Sequence, residues 1–244
     1  MIDAKAIILK YYKEDSDLFR SLCIHSECVM QKALRCAKYC TLDIDIDFVA
    51  EAALLHDIGI FRCNAPDIYC VGDLPYICHG IEGRKILEQE GLDRHALVCE
   101  RHTGAGLSID NIINQHLPLP HRDMLPLSIE EQLVCYADKF FSKSGNLTEE
   151  KSVELVMRQM KKFGDDSLHR FLAMHRLFTH PYPITPATRR SQITPKTSIS
   201  HYSIALNIES SANRHISDLE KRFLLPCYPK YLFSPKQPLN VQSK

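Results

Sequence analysis

The sequence predicts an all-α fold, and three observations carry that expectation. Apolar residues recur every three or four positions along most of the first 180 residues. Helix-starting and helix-stopping residues bracket those runs, and no stretch alternates in the period of two that a half-buried strand shows.

Along residues 16–39, Leu18, Leu22, Val29, Ala33 and Cys36 mark the buried stripe of one helix, and His25 lies on that stripe. A second helix over residues 47–57 reads DFVAEAALLHD, with His56 and Asp57 in its last turn. Gly59 is expected to take the left-handed conformation that ends helices. Residues 61–75 hold Pro66, Gly72 and Pro75 without any period, so they form a long connection of the kind that often serves as a lid. Helical spacing resumes over 79–90, with Gly91 as the stop, and again over 93–102. The run GLSIDNIINQHLPLPHRDMLP is read as irregular, punctuated by Pro118, Pro120 and Pro126. Ser128 and Glu131 then form a capping box, opening a helix that continues through Phe141. Helices over 148–163 and 165–178 close the body.

Residues 181–244 form an extension rich in proline, serine and threonine, expected to be poorly ordered apart from one amphipathic helix over 208–224. The chain therefore divides into a domain of residues 1–180 and an extension of 181–244. Charge divides at the same place: nine lysines and arginines face three acids after residue 180, leaving 21 against 27 before it. An acidic body with a sparsely basic extension gives no electrostatic footprint for nucleic acid, so no nucleic-acid partner is expected. No apolar run approaches the ~18 residues of a membrane span. The opening MIDAKAIILKYYKED lacks the core of a cleavable signal, which points to a cytoplasmic protein. In a reducing cytosol the ten cysteines stay thiols, and Cys23, Cys36, Cys99 and Cys135 read as small buried hydrophobes.

Chemistry concentrates on His25, His56, Asp57, His79, His102 and Asp138, each on or beside a helix. Imidazole nitrogens and carboxylate oxygens are the donors that hold Zn, Mn, Fe, Co or Mg when they converge from several elements. Asp138 sits among apolar residues well past the first turn of its helix, where capping cannot account for it. A carboxylate buried there without partner or cation would cost several kcal/mol, roughly. At 3.6 residues per turn, the neighbours His56 and Asp57 splay by about 100°, so one can face a single cation while the other spans two.

The run AALLHDIG at residues 52–59, with His25 upstream and YADK at 136–139 downstream, resembles the HD-domain superfamily of metal-dependent phosphohydrolases in its HDIG-type branch. HGIEGRKIL at 79–87 and RHTGAGL at 101–107 look like the segments that supply further histidines there. The resemblance covers residues 18–142 and extends over the helices to 180. It implies an HD-domain helical bundle in which His25, His56, Asp57 and Asp138 hold a first divalent metal. His79 and His102 would hold a second, with Asp57 bridging, and His121 is the nearby candidate for a third histidine. One or two ions are implied, with Mn, Fe, Mg, Co, Ni and Zn undistinguished.

The implied reaction is hydrolysis of a small phosphorylated substrate by metal-activated water, with Asp57 orienting that water. Lys139 either contacts the phosphate or is a solvated helix lysine, and Arg101 has a similar claim. The connection over 61–75 is expected to cap the pocket. The absence of a G-Y-P run argues against cyclic-di-GMP as substrate. Two other readings stay open: a di-iron oxygenase of the same fold, and a nucleotide-binding signalling module without turnover.

Overall fold

The computed structural model describes residues 2–179, and the expected helix over 208–224 and the rest of the extension lie outside the described residues. The described residues form a helical bundle whose elements follow the order α1 (Ala4–Leu9), α2 (Asp17–Tyr39), α3 (Ile46–Leu55), three short strands, α4 (His79–Gln89), α5 (Asp93–Arg101), α6 (Ile109–Asn114), α7 (Ile129–Asp138), α8 (Val153–Lys162) and α9 (Asp165–Thr179). Among these residues no helix is long and apolar enough to cross a membrane.

The long α2 forms because Ser16 accepts the Phe19 amide at its start and its apolar stripe then runs unbroken. That stripe meets α3, α7 and α9 in one apolar core containing Val29, Ala33, Val49, Val134 and Phe171, all fully buried. A second core gathers α1, α3, α4, α5 and the start of α2 around Leu22, Leu55, Ile58 and Leu87. The HD segment therefore lies where the two cores meet, with apolar packing on both sides. The nine described cysteines are free thiols, and Cys99 and Cys135 are fully enclosed.

Several expectations are corrected. The N-terminal run forms α1, capped by Asp3, and Tyr12 beyond it donates its hydroxyl to the Ile58 carbonyl at 2.8 Å, bracing the HD turn. Strands do occur: β1 (Cys63–Ala65) pairs antiparallel with β2 (Cys70–Val71) and parallel with β3 (Leu74–Pro75) in the order β2-β1-β3. At two or three residues each, they are too short for alternation to register. The segment read as irregular contains α6, held by a reciprocal box between Ser108 and Asn111. At α7, Ser128 accepts the Glu131 amide as expected. Glu131, however, accepts the Leu127 amide at 2.9 Å and two bonds from Arg101 instead of closing the box. α7 also ends at Asp138 rather than continuing through Phe141, and α8 starts at Val153 behind Ser152 rather than near residue 148.

Gly59 is the most informative correction. Its backbone is right-handed, φ −84°, so it is not the left-handed stop that the sequence suggested. A Cβ there would stand 2.3 Å from both the Gly83 nitrogen and the His79 carbonyl oxygen. The glycine lets α4 lie against the HD turn. On the opposite side, Gly80 faces the Cys99 carbonyl at 2.5 Å from its own would-be Cβ, which brings α4 onto α5. Close approach, not helix termination, places His79 beside His56 and Asp57.

Candidate metal centre

His56 and Asp57 lie in the tight turn after α3, His56 as its C-cap with helical angles, φ −56° and ψ −27°. His25 projects from the middle of α2, Asp138 from the last turn of α7, His79 opens α4, and His102 caps α5. Five elements thus bring six side chains to one point, all buried.

Their donor atoms form two groups, each with its atoms within 4.8 Å of one another: His25, His56, Asp57 and Asp138, and Asp57, His79 and His102. In the first, His25 Nε2 is 3.0 Å from Asp138 Oδ1 and 3.3 Å from Asp57 Oδ2. His56 Nε2 is 3.1 Å from that same Asp57 oxygen. In the second, Asp57 Oδ1 is 3.3 Å from His102 Nε2 and 3.5 Å from His79 Nε2. One carboxylate serves both groups, one oxygen to each.

Three of the four histidines are aimed by the same device. Nδ1 of His56, His79 and His102 each meets the carbonyl three residues earlier, that of Ala53, Tyr76 and Cys99, at 2.7, 2.7 and 2.8 Å. A proton on each Nδ1 satisfies that carbonyl and leaves the Nε2 lone pair directed inward. His79 Nε2 and His102 Nε2 consequently face each other at 3.1 Å. Two converging lone pairs repel unless a proton or cation lies between them. His56 Nε2 and both Asp57 oxygens are buried without a partner in hydrogen-bonding geometry, although Lys143 Nζ comes within 2.8 Å of Oδ2. Imidazole and carboxylate donor atoms buried at this density fit a divalent cation.

Electrostatics separate the histidines. Burial opposes a proton on His56, but Asp57 and Asp138 outweigh it and lift the imidazole to about 9. Burial pushes His79 down to about 3 and lowers His102 as well, so both present neutral lone pairs. Despite burial, Asp57 is held well below the usual carboxylate range by His56 and Lys143, and Asp138 by Lys139 and Lys143. Because His56 titrates higher in the fold than at 6.5 in an unfolded chain, its pairing stabilises the chelator-treated protein fully below pH 6.5. That contribution is lost as pH rises through about 9. The melting temperature of metal-free protein should therefore fall between those values, and the fall should vanish in His56→Gln.

Lys139 is buried, so it is not a solvated helix lysine; its ammonium sits 2.6 Å from Asp138 Oδ2 and donates to the His102 carbonyl at 2.9 Å. Arg101 pairs with Glu131. His121 is exposed and joins neither group. His95 is buried against Glu51, a core role. A cavity of about 540 Å³ opens beside His79, His102 and Asp138, and its walls come from Tyr76, Ile77, residues 103–117 and residues 139–170. No residue of 61–75 lines it, so that connection is not the expected cap. Two cavity lysines, Lys143 and Lys151, escaped the sequence reading, because no motif marks a side chain that reaches the site from a turn.

The HD domain family matches residues 22–142. The chain is 33% identical over 168 residues to the tRNA (cytidine(56)-2'-O)-methyltransferase of Picrophilus torridus, a match covering 68% of this chain and 42% of that protein. It is 31% identical over 156 residues to the protein of the same name from Thermoplasma volcanium, covering 64% and 41%. To an uncharacterized protein of Methanocaldococcus jannaschii it is 32% identical over 138 residues, covering 52% and 73%. The chain thus spans less than half of either methyltransferase. No solved structure matches it.

Proposed function

This chain belongs to the HD-domain family, and on that premise we propose that it is a metal-dependent phosphohydrolase acting on a small phosphate ester. The observation that carries this reading is the sharing of Asp57 between two buried donor groups beside a cavity with a cationic wall. His25, His56, Asp57 and Asp138 would hold one divalent ion, and Asp57, His79 and His102 a second. Bound there, such an ion lowers the pKa of water and polarises a phosphoryl oxygen.

The chain's own residues supply the rest. Asp57, shared by both donor groups, would help to orient the attacking water through the ions it holds. Lys139 has its ammonium committed to Asp138 and the His102 carbonyl, so it positions two ligand-bearing elements relative to each other. The cavity of about 540 Å³ suits a small molecule rather than a polymer, and its apolar wall, including Leu117, Phe141 and Met160, would hold the organic part of the ester. The methyltransferase activity named for two relatives is not carried over, because less than half of each is matched and the matched chain presents cation-binding donors.

The test is chelation, reloading with single metals, and assay of phosphate release from a panel of phosphomonoesters and phosphodiesters. Metal-stimulated release that disappears in His56→Ala supports the reading. Absence of release with every metal, together with dioxygen uptake and a visible absorption band, would assign the site to oxidation instead.

A further inference from the structure

Both carboxylates of the donor groups already face lysines. Asp57 Oδ2 lies 2.8 Å from Lys143 Nζ, whose distance to Asp138 Oδ1 is 3.7 Å, and Asp138 Oδ2 is taken by Lys139. Two buried carboxylates thus face two ammonium groups. A divalent ion on the same oxygens would repel Lys143 at that distance and favour its displacement, because like charges in a poorly solvated site repel strongly. Lys143 is partly exposed, lines the cavity, and has the Tyr76 phenol as a second neighbour. Once displaced from Asp57, its ammonium has the cavity to turn into, and the loaded site then carries excess positive charge.

Beyond Asp138, which is already paired with Lys139, the described residues of the cavity wall offer no carboxylate to compensate. Asp138 is its one lining carboxylate among the described residues. Of the other cations there, Arg170 is saturated by Asp166, Asn111 and the carbonyls of Ala105 and Gly106. Lys151 differs. Its ammonium donates only to backbone carbonyls, Phe141 at 3.0 Å and Lys139 at 3.4 Å, and no carboxylate of the described residues pairs with it. Burial lowers its affinity for a proton, as expected of a cation short of negative charge.

We propose that Lys143 and Lys151 form an oxyanion seat beside the Asp57 donor groups that takes the terminal, dianionic phosphoryl group of a phosphomonoester. This rests on the phosphohydrolase reading and narrows it. Two ammonium groups beside a metal-loaded cluster match a dianion better than the single charge of a diester, and a terminal phosphoryl leaves the organic part to the apolar wall.

The experiment is calorimetric titration of full-length, manganese-loaded protein with inorganic phosphate, methyl phosphate and dimethyl phosphate, with manganese binding measured on the same samples. The expected result is that Lys143→Met and Lys151→Met each bind phosphate and methyl phosphate at least tenfold more weakly. Lys143→Arg should stay within about threefold of the parent. Manganese affinity should be unchanged or tighter in Lys143→Met, since a competing cation is gone. Dimethyl phosphate should bind at least tenfold more weakly than methyl phosphate to the parent protein. Phosphate binding by the parent that both methionine variants retain would overturn the seat while leaving hydrolysis standing. Loss of manganese from Lys143→Met would show that the lysine supports the cluster and would likewise overturn it. Equal affinity for the diester would overturn the monoester assignment. A manganese-loaded parent that binds no phosphate at all would overturn both the seat and the phosphohydrolase reading.

Discussion

Replacement of Asp57 by alanine is expected to abolish metal-dependent phosphate release, by about a thousandfold or more, equivalent to roughly 4 kcal/mol of transition-state stabilisation. The size of the effect follows from the sharing of this carboxylate. Its Oδ2 faces His25 and His56 while its Oδ1 faces His79 and His102, so one substitution removes a donor from both groups. Asp57→Asn keeps the shape and one oxygen but not the charge, and should fall between alanine and the parent in metal affinity. Helical content should stay at the parental level, because Leu55 and Ile58 on either side of the turn keep their apolar contacts. Metal analysis and circular dichroism of the same preparations check both parts. Parental metal content in Asp57→Ala would contradict the bridging role.

Gly59→Ala is expected to be the most damaging single-methyl change outside the donors. The added carbon would meet two backbone atoms of α4 at 2.3 Å, and backbone cannot rotate away as a side-chain tip can. Overpacking costs about 1–3 kcal/mol where side chains adjust, and this site should lie at the upper end or beyond it. At ~2–4 °C per kcal/mol, the melting temperature should drop by roughly 6–12 °C. Relief requires α4 to retreat, which carries His79 away from Asp57. Titration should then show the second group weakened more than the first. A melting temperature within about 2 °C of the parent, with metal binding unaltered, would contradict the close-approach explanation.

Much of the bundle is legible in the sequence, because α2, α3, α4, α5, α7 and α9 each repeat an apolar stripe over several turns. α1 and α6, at six residues each, are too short for that signal; only their caps at Asp3 and Ser108 announce them. The strands are shorter still. Of the site, His25 and Asp138 stand out because imidazole and carboxylate on apolar faces demand an explanation, and the resemblance to HD-domain segments marks His56, Asp57, His79 and His102. Lys143 does not stand out, because an exposed-looking lysine is ordinary in any sequence. It reaches Asp57 because α7 stops at Asp138, earlier than its apolar spacing suggests, and the chain turns back toward the HD segment. Gly59 is legible as a special position but not for its reason: a glycine after a helix reads as a stop, and only the path of α4 reveals a neighbour.

The side chains gathered around Asp57 are expected to form a divalent-metal centre. Its most direct test is metal analysis of purified full-length protein after equilibrium dialysis against manganese, iron, cobalt, nickel and zinc in turn. One or two tightly held ions per chain are expected, falling in His56→Ala and lost in Asp57→Ala. Protein that is folded by circular dichroism yet retains none of these ions would contradict it.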